Sequence, residues 1–338
     1  MELSYAIARY EQAAELLPIR WQQAARRLPD WRKAQAEEFR LRTGRPMTVL
    51  TCEGEVLVSD ELPRPLVTQS DLEQLCDMVT GYSRYAVSDT LSKGYLIGRG
   101  GFRIGVCGTA VLRAGINTNL RDISSVTVRI SRQIRGISEP LVEELWEPEG
   151  FSSTLLLAPP GAGKTTLLRD MICALSDGSE TRPACRVGVV DERGELAAMY
   201  RGVPQLEVGA HTDVLDGCPK ALGVIMLLRA ANPQIIAVDE ITAEEDLRAM
   251  LTAANCGVAL LATIHAADRE ELTRKPLFTK LLEMQVFRRL VTITVERGCR
   301  ASFPTQFVKV YSLPPSAGWR RSIRRISAAG PARSAAAS

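Results

Sequence analysis

Five short runs in the second half of the chain are almost wholly apolar: TLLLA (154–158), RVGVV (186–190), QIIAV (234–238), VALLATI (258–264) and LVTITV (290–295). A strand with one solvated face alternates polar and apolar residues. These runs do not, so they read as strands buried on both faces. Helical spacing fills the intervals between them. Strand–helix–strand alternation of this kind predicts an α/β core, a mainly parallel sheet with helices on both sides. Ligands of such sheets sit outside the carboxyl ends of the strands, so the residues that end each run are the functional candidates.

TLLLA leads into Pro159, Pro160, Gly161, Ala162, Gly163, Lys164, Thr165 and Thr166, and a helical pattern follows. A polyphosphate needs several backbone N–H groups converging on it, and glycines permit the turn and the close approach. The next helix points the positive end of its dipole at the phosphates. Lys164 would bridge the β- and γ-phosphates of ATP, and the Thr165 hydroxyl would ligate Mg2+. The usual pattern, G-x-x-x-x-G-K-[ST], opens with glycine where this chain has Ala158. That residue lies where the chain leaves the strand, and a missing Cβ is least needed there. The alternative is a plain Gly/Pro turn before a core helix; the flanking strand and helix argue against it.

Three other strand ends supply partners. IIAVDE (235–240) ends in Asp239, which would hold Mg2+ through water, and Glu240, which would orient and polarise the attacking water. The adjacent glutamate favours hydrolysis over a GTPase-type switch. VVDERGEL (189–196) places Asp191, Glu192 and Glu195 just after a buried strand. They would hold a water, contact the metal indirectly or face a neighbouring subunit, with Glu192 the first candidate; a solvated loop is the alternative. LLATIHA (260–266) places Thr263 and His265 near the γ-phosphate, although a lone histidine is often a satisfied core residue.

The N-terminal half has a different texture. It reads as helix over 1–28, two or three strands within 38–59, a helix over 70–83 capped by Ser70, and a β-hairpin over 94–115 turning through Arg-Gly-Gly. The expected organisation is a smaller α+β domain (1–148), an ATPase domain (149–313) with 306–313 as an edge strand, and a basic, disordered tail (314–338). That tail takes five of the 42 basic residues and none of the 39 acidic ones, so the rest of the chain has a small acidic excess. With no interleaving of aromatic and basic residues, the body does not read as a nucleic-acid binder, and nucleic acid is not an expected partner. There are eight cysteines without a C-x-x-C and only two histidines, so no zinc site of usual spacing is expected and a reducing compartment suits the chain. No signal peptide or membrane-spanning run stands out, which predicts a cytoplasmic protein whose membrane association, if any, is peripheral.

Beyond these motifs, PPGAGKTTLLRD, VVDERGE, HTDVLDGCPKA, IIAVDEI and ATIHA, with RLRTGRP, GYLIGRGGFRIGVCG and LRDISSVTVRI upstream, resemble the stage III sporulation protein AA family of endospore-forming bacteria. The resemblance covers roughly residues 38–295. That family belongs with the ATPases of type II and type IV secretion. The resemblance implies a RecA-like P-loop ATPase core behind a smaller N-terminal domain, assembly as a homo-hexameric ring, and use of ATP and Mg2+. It also implies a role in energising a secretion-like channel between mother cell and forespore, from the mother-cell side, with the membrane proteins of that sporulation complex as partners. The relatives' four boxes carry over to Gly161–Thr166, to Asp191, Glu192 and Glu195, to Asp239 and Glu240, and to His265. Many secretion ATPases have glycine where this chain has Asp239, which implies an indirect metal contact there.

The γ-phosphate's developing charge is often met by arginine from another domain or subunit. LRDISSVTVRISRQIRG offers Arg121, Arg129 and Arg132, with Arg121 the first candidate and a basic face packing on the core the alternative. Two other functions stay open at this level: a nucleic-acid-dependent RecA-like ATPase, and a slow nucleotide-gated assembly protein. An ABC transporter ATPase is disfavoured because no LSGGQ-like segment precedes IIAVDE.

Overall fold

The structure, a computed structural model, describes residues 3–81, 88–266, 269–296, 305–313 and 321–326. Two units emerge: Met1–Arg132 with Ala198–Leu206, and Gln133–Ala197 with Glu207–Ser338.

The N-terminal unit opens with three short helices, α1 (Leu3–Ala14), α2 (Ile19–Arg26) and α3 (Asp30–Gln35). Then come β1 (Glu38–Arg42), β2 (Thr48–Thr51), β3 (Gly54–Leu57), α4 (Gln69–Thr80), α5 (Ser88–Ser92), β4 (Tyr95–Gly98), β5 (Phe102–Arg113) and β6 (Ile116–Arg129). The strands form one antiparallel sheet in the order β3-β2-β1-β6-β5-β4. Period-two alternation puts Phe39, Leu41, Val49, Ile104, Val126 and Val128 on one face, where they share a core with Tyr10, Leu17, Trp21, Leu72 and Leu75. Helix α4 starts two residues earlier than the sequence suggests: Thr68, not Ser70, is the N-cap, in a reciprocal capping box with Asp71. Gly81 ends it in the left-handed conformation. The hairpin does turn through Arg99–Gly101, but its second strand runs on to Arg113 and folds back onto β6. The RDISS segment is therefore a strand with a bulge. Register shifts between Cys107 and Thr109, and Asp122 takes φ 48°.

The second unit comprises α6 (Glu139–Leu145), β7 (Trp146–Glu147), β8 (Gly150–Phe151), β9 (Thr154–Ala158), α7 (Lys164–Asp177), β10 (Val187–Asp191), β11 (Thr212–Asp216) and α8 (Lys220–Ala230). It continues through β12 (Ile235–Val238), α9 (Glu244–Asn255), β13 (Ala259–His265), α10 (Arg269–Arg274), α11 (Pro276–Glu283), β14 (Arg289–Glu296), β15 (Thr305–Ser312) and β16 (Arg321–Ile326). The main sheet runs β11-β10-β12-β13-β9-β14-β15-β16. It is parallel as far as β14 and antiparallel across β14, β15 and β16. Every residue of β9, β10 and β12 is buried, as their unbroken apolar runs require.

Four expectations shift. HTDVLDG holds a strand, β11, which TDVLD, neither an unbroken apolar run nor an alternating one, left unmarked. Segment 306–313 is not an edge, because β15 lies between β14 and β16. Part of the tail expected to be disordered, Arg321–Ile326, is that outer strand, held by backbone pairing to β15; the other residues of 314–338 lie outside the described residues. The units divide after Arg132 rather than near 148, because the segment beyond it is tied to α7: Gly136 and Ser138 N–H groups donate to the buried Asp170 carboxylate at 2.8 and 2.7 Å. Among the described residues, no helix is long and apolar enough to cross a membrane.

Candidate nucleotide site

The carboxyl ends of β9, β10, β12 and β13 share one edge of the second unit's sheet, because parallel pairing fixes them there. Ala158, the residue at the first position of the loop pattern, is the fully buried last residue of β9 and pairs in register with His265. The loop then turns through Gly161 (φ 75°) and Gly163 (φ 77°), both left-handed, and a Cβ built on Gly161 would meet nothing within 4 Å. Gly163 is the N-cap of α7 and contributes no side-chain cap. The first N–H groups of a helix have no intrahelical acceptor, so this turn presents donors suited to an anion.

Lys164 opens α7 and is only 5% exposed. Its Nζ lies 3.2 Å from His265 Nε2 and 3.8 Å from Asp239 Oδ1. Burial pulls the ammonium below its usual range, and the charges of Asp239 and Glu240 work against that. His265 Nδ1 is buried and has no hydrogen-bond partner among the described residues.

Asp239 and Glu240 follow the last residue of β12. Thr165 donates to Asp239 Oδ2 at 2.9 Å, and Thr263 donates to Asp239 Oδ1. Thr263 is fully buried, and its Oγ1 also accepts the Glu240 N–H at 2.7 Å, while its carbonyl accepts the Ile241 N–H at 2.9 Å. Glu240 sits at φ 54°, a conformation costly for a residue with a Cβ. One hydroxyl on the neighbouring strand thus fixes both acids, a positioning role. The Glu240 carboxylate meets Arg193 Nη1 at 2.6 Å and His265 Nε2 at 3.4 Å.

The DERGE segment splits three ways. Asp191 turns inward, and its carboxylate accepts N–H groups from Glu195, Leu196 and Ala197 at 2.8, 3.0 and 2.8 Å, so it builds the loop. Glu192 pairs with Lys220 at the start of α8. Glu195 lies close enough to Lys164 for its charge to support the ammonium. Two partners escaped the sequence reading, Arg193 and Lys220. Arg193 lies inside DERGE, between acids whose charge is the more obvious signal.

The three candidate arginines all belong to the N-terminal unit. Arg121 is exposed at the β6 bulge, its Nε 3.6 Å from Asp122 Oδ2. Arg129 is exposed at the end of β6. Arg132 is committed to structure: its Nη2 donates to the carbonyls of Lys33 and Ala36, 3.2 and 2.7 Å away, at the end of α3.

A family model described as sporulation stage III, protein AA, matches residues 8–303. The chain belongs to that family. It is 36% identical over 285 residues to the stage III sporulation protein AA of Bacillus subtilis strain 168, covering 84% of this chain and 91% of that one. Among solved structures it is similar to the ATPase DotB of Legionella pneumophila, with TM-score 0.54 and 15% identity over 82% of this chain and 77% of that one. It is also similar to the pilus retraction motor PilT with bound ADP, with TM-score 0.53 and 15% identity over 86% of this chain and 78% of that one. At such identities the likeness establishes the fold alone. This is a sporulation protein with the RecA-like P-loop fold of the secretion ATPases.

Proposed function

We propose that the chain binds ATP and Mg2+ at the loop edge of its second unit and hydrolyses the nucleotide, working as a ring-forming motor for a secretion-like membrane complex in endospore formation. The observation that carries this reading is the meeting of Lys164, Thr165, Asp239 and Glu240 beside an open turn of left-handed glycines. The residues fit both groups. A buried lysine at a helix start suits a polyphosphate, and so does the unpartnered His265 Nδ1; a hydroxyl paired with a carboxylate suits a hard divalent cation. Gly161–Thr166 would cradle the phosphates through backbone N–H groups, with Lys164 on the terminal pair. Thr165 and Asp239 would hold the metal, which when bound neutralises charge on the phosphate oxygens. Glu240 would accept a proton from the attacking water. The motor role draws support from the fold shared with a pilus retraction motor; the homo-hexameric ring and the membrane partners rest on the family resemblance.

The test is phosphate release by the full chain with ATP and Mg2+. Lys164→Ala should abolish both binding and turnover, and Glu240→Gln should abolish turnover while keeping binding. Mass photometry with a non-hydrolysable ATP analogue should show a nucleotide-dependent hexamer. Turnover unaffected by Glu240→Gln would remove the assigned base, and a persistent monomer at high concentration would remove the ring.

A further inference from the structure

Glu240, as it stands, has one of its two carboxylate oxygens tied up. Its Oε2 accepts from Arg193 at 2.6 Å, and its Oε1 faces His265 Nε2 at 3.4 Å. Oε2 is thus occupied by a guanidinium, and an oxygen held in that way is not free to take a proton from water. The backbone reinforces this arrangement, since the left-handed turn at Glu240 is anchored to the buried Thr263 and cannot swing the carboxylate away as a unit.

Arg193 is the more exposed member of the pair. Its side chain is 56% exposed, it lies in the loop that follows β10, and its charge is felt at Lys164, the residue that opens the helix at the glycine turn. A terminal phosphate carries more charge than a carboxylate and offers a guanidinium two oxygens at once.

We propose that Arg193 is a terminal-phosphate sensor: it holds Glu240 idle in the empty site, and it exchanges that carboxylate for the terminal phosphate of a bound nucleoside triphosphate, which frees Glu240 to receive the water. This deepens the reading given under Proposed function and rests on it. A nucleoside diphosphate lacks the group that draws the arginine across, so the device distinguishes triphosphate from diphosphate through one side chain. Asp191 and Glu192 do not compete for it, because Asp191 is consumed by backbone N–H groups and Glu192 by Lys220.

The experiment is calorimetric titration of the full chain with ADP and with a non-hydrolysable ATP analogue, both with Mg2+, on the wild type, Lys164→Ala, Arg193→Ala and Arg193→Lys. The expectation is that Arg193→Ala weakens the ATP analogue about tenfold, the weight of one charge-assisted hydrogen bond, and leaves ADP within about twofold. Arg193→Lys should recover part of the loss, because the charge remains while the fork is gone. Equal weakening of both nucleotides, or no effect on either, overturns the sensor while Lys164→Ala still validates the site. Failure of the wild type to bind either nucleotide overturns the sensor together with the function on which it rests.

Discussion

Replacing Thr263 by valine removes a single hydroxyl and preserves the branched shape. That hydroxyl is fully buried, accepts the Glu240 N–H at 2.7 Å and donates to Asp239. Leaving the N–H without an acceptor costs about 1–3 kcal/mol, and losing a donor to a carboxylate costs about 1.5–3 kcal/mol more before water partly replaces it. A net loss of about 3 kcal/mol is expected. Thr263→Ser provides the counter-case. It keeps the hydroxyl and deletes a buried methyl, for about 1 kcal/mol. Urea unfolding followed by circular dichroism measures both, and phosphate release measures the effect on the site. Valine should be the more damaging by about 2 kcal/mol. It should also lower turnover at least tenfold, because the strained turn at Glu240 loses its anchor; serine should retain most of the turnover. If valine proves no worse than serine in stability and turnover, Thr263 is a packing residue and the account of how Asp239 and Glu240 are fixed is wrong.

Two further perturbations test the surroundings. Desolvation of its carboxyl, helped by the neighbouring Asp191 charge, pushes Asp216 up to about 6, above its unfolded value, so the folded state binds the extra proton and this group's contribution falls as pH rises from about 4 to about 6. Asp216→Asn should therefore stabilise the chain at pH 7.5 by about 1 kcal/mol once solvent screening is allowed for, and the gain should vanish at about pH 4; thermal melts across that range would show it. At the β6 bulge, a Cβ on Gly108 would stand 2.6 Å from the Arg121 carbonyl oxygen, so Gly108→Ala must push the two strands apart, at about 1–3 kcal/mol, read as faster amide exchange in β5 and β6.

The strands of the second unit were legible because burial on both faces leaves a mark that needs no partner: LLLA and IIAV are apolar without interruption, and all of β9 and β12 is buried. The phosphate loop was legible because positive φ at Gly161 and Gly163 demands a residue type. Edge elements carry no such mark. In β11, Thr212, Asp213 and Asp216 are polar, so the strand is built by pairing with β10 rather than by its own pattern. β16 is likewise a basic segment that is a strand only through its ladder with β15. The N-cap of α4 was misplaced because Thr68 and Ser70 are both good caps, and the decision lies with Asp71, whose carboxylate reaches back to the Thr68 N–H.

The same distinction explains which site residues could be named in advance. Lys164, Thr165, Asp239 and His265 lie at or next to strand and helix ends, where the period of the element fixes which edge they occupy. Asp191, Glu192 and Arg193 are consecutive, yet they face a backbone nest, a helix start and another strand's acid. Beyond the end of β10 the chain turns, and direction is then set by whichever group accepts each charge. Those acceptors are distant in sequence: Lys220 is 28 residues from Glu192, and Glu240 is 47 from Arg193. Composition could put three charges on the loop, but only the folded neighbours could give each its partner. The residue whose partner is the proposed base is the one whose task depends most on what else binds there.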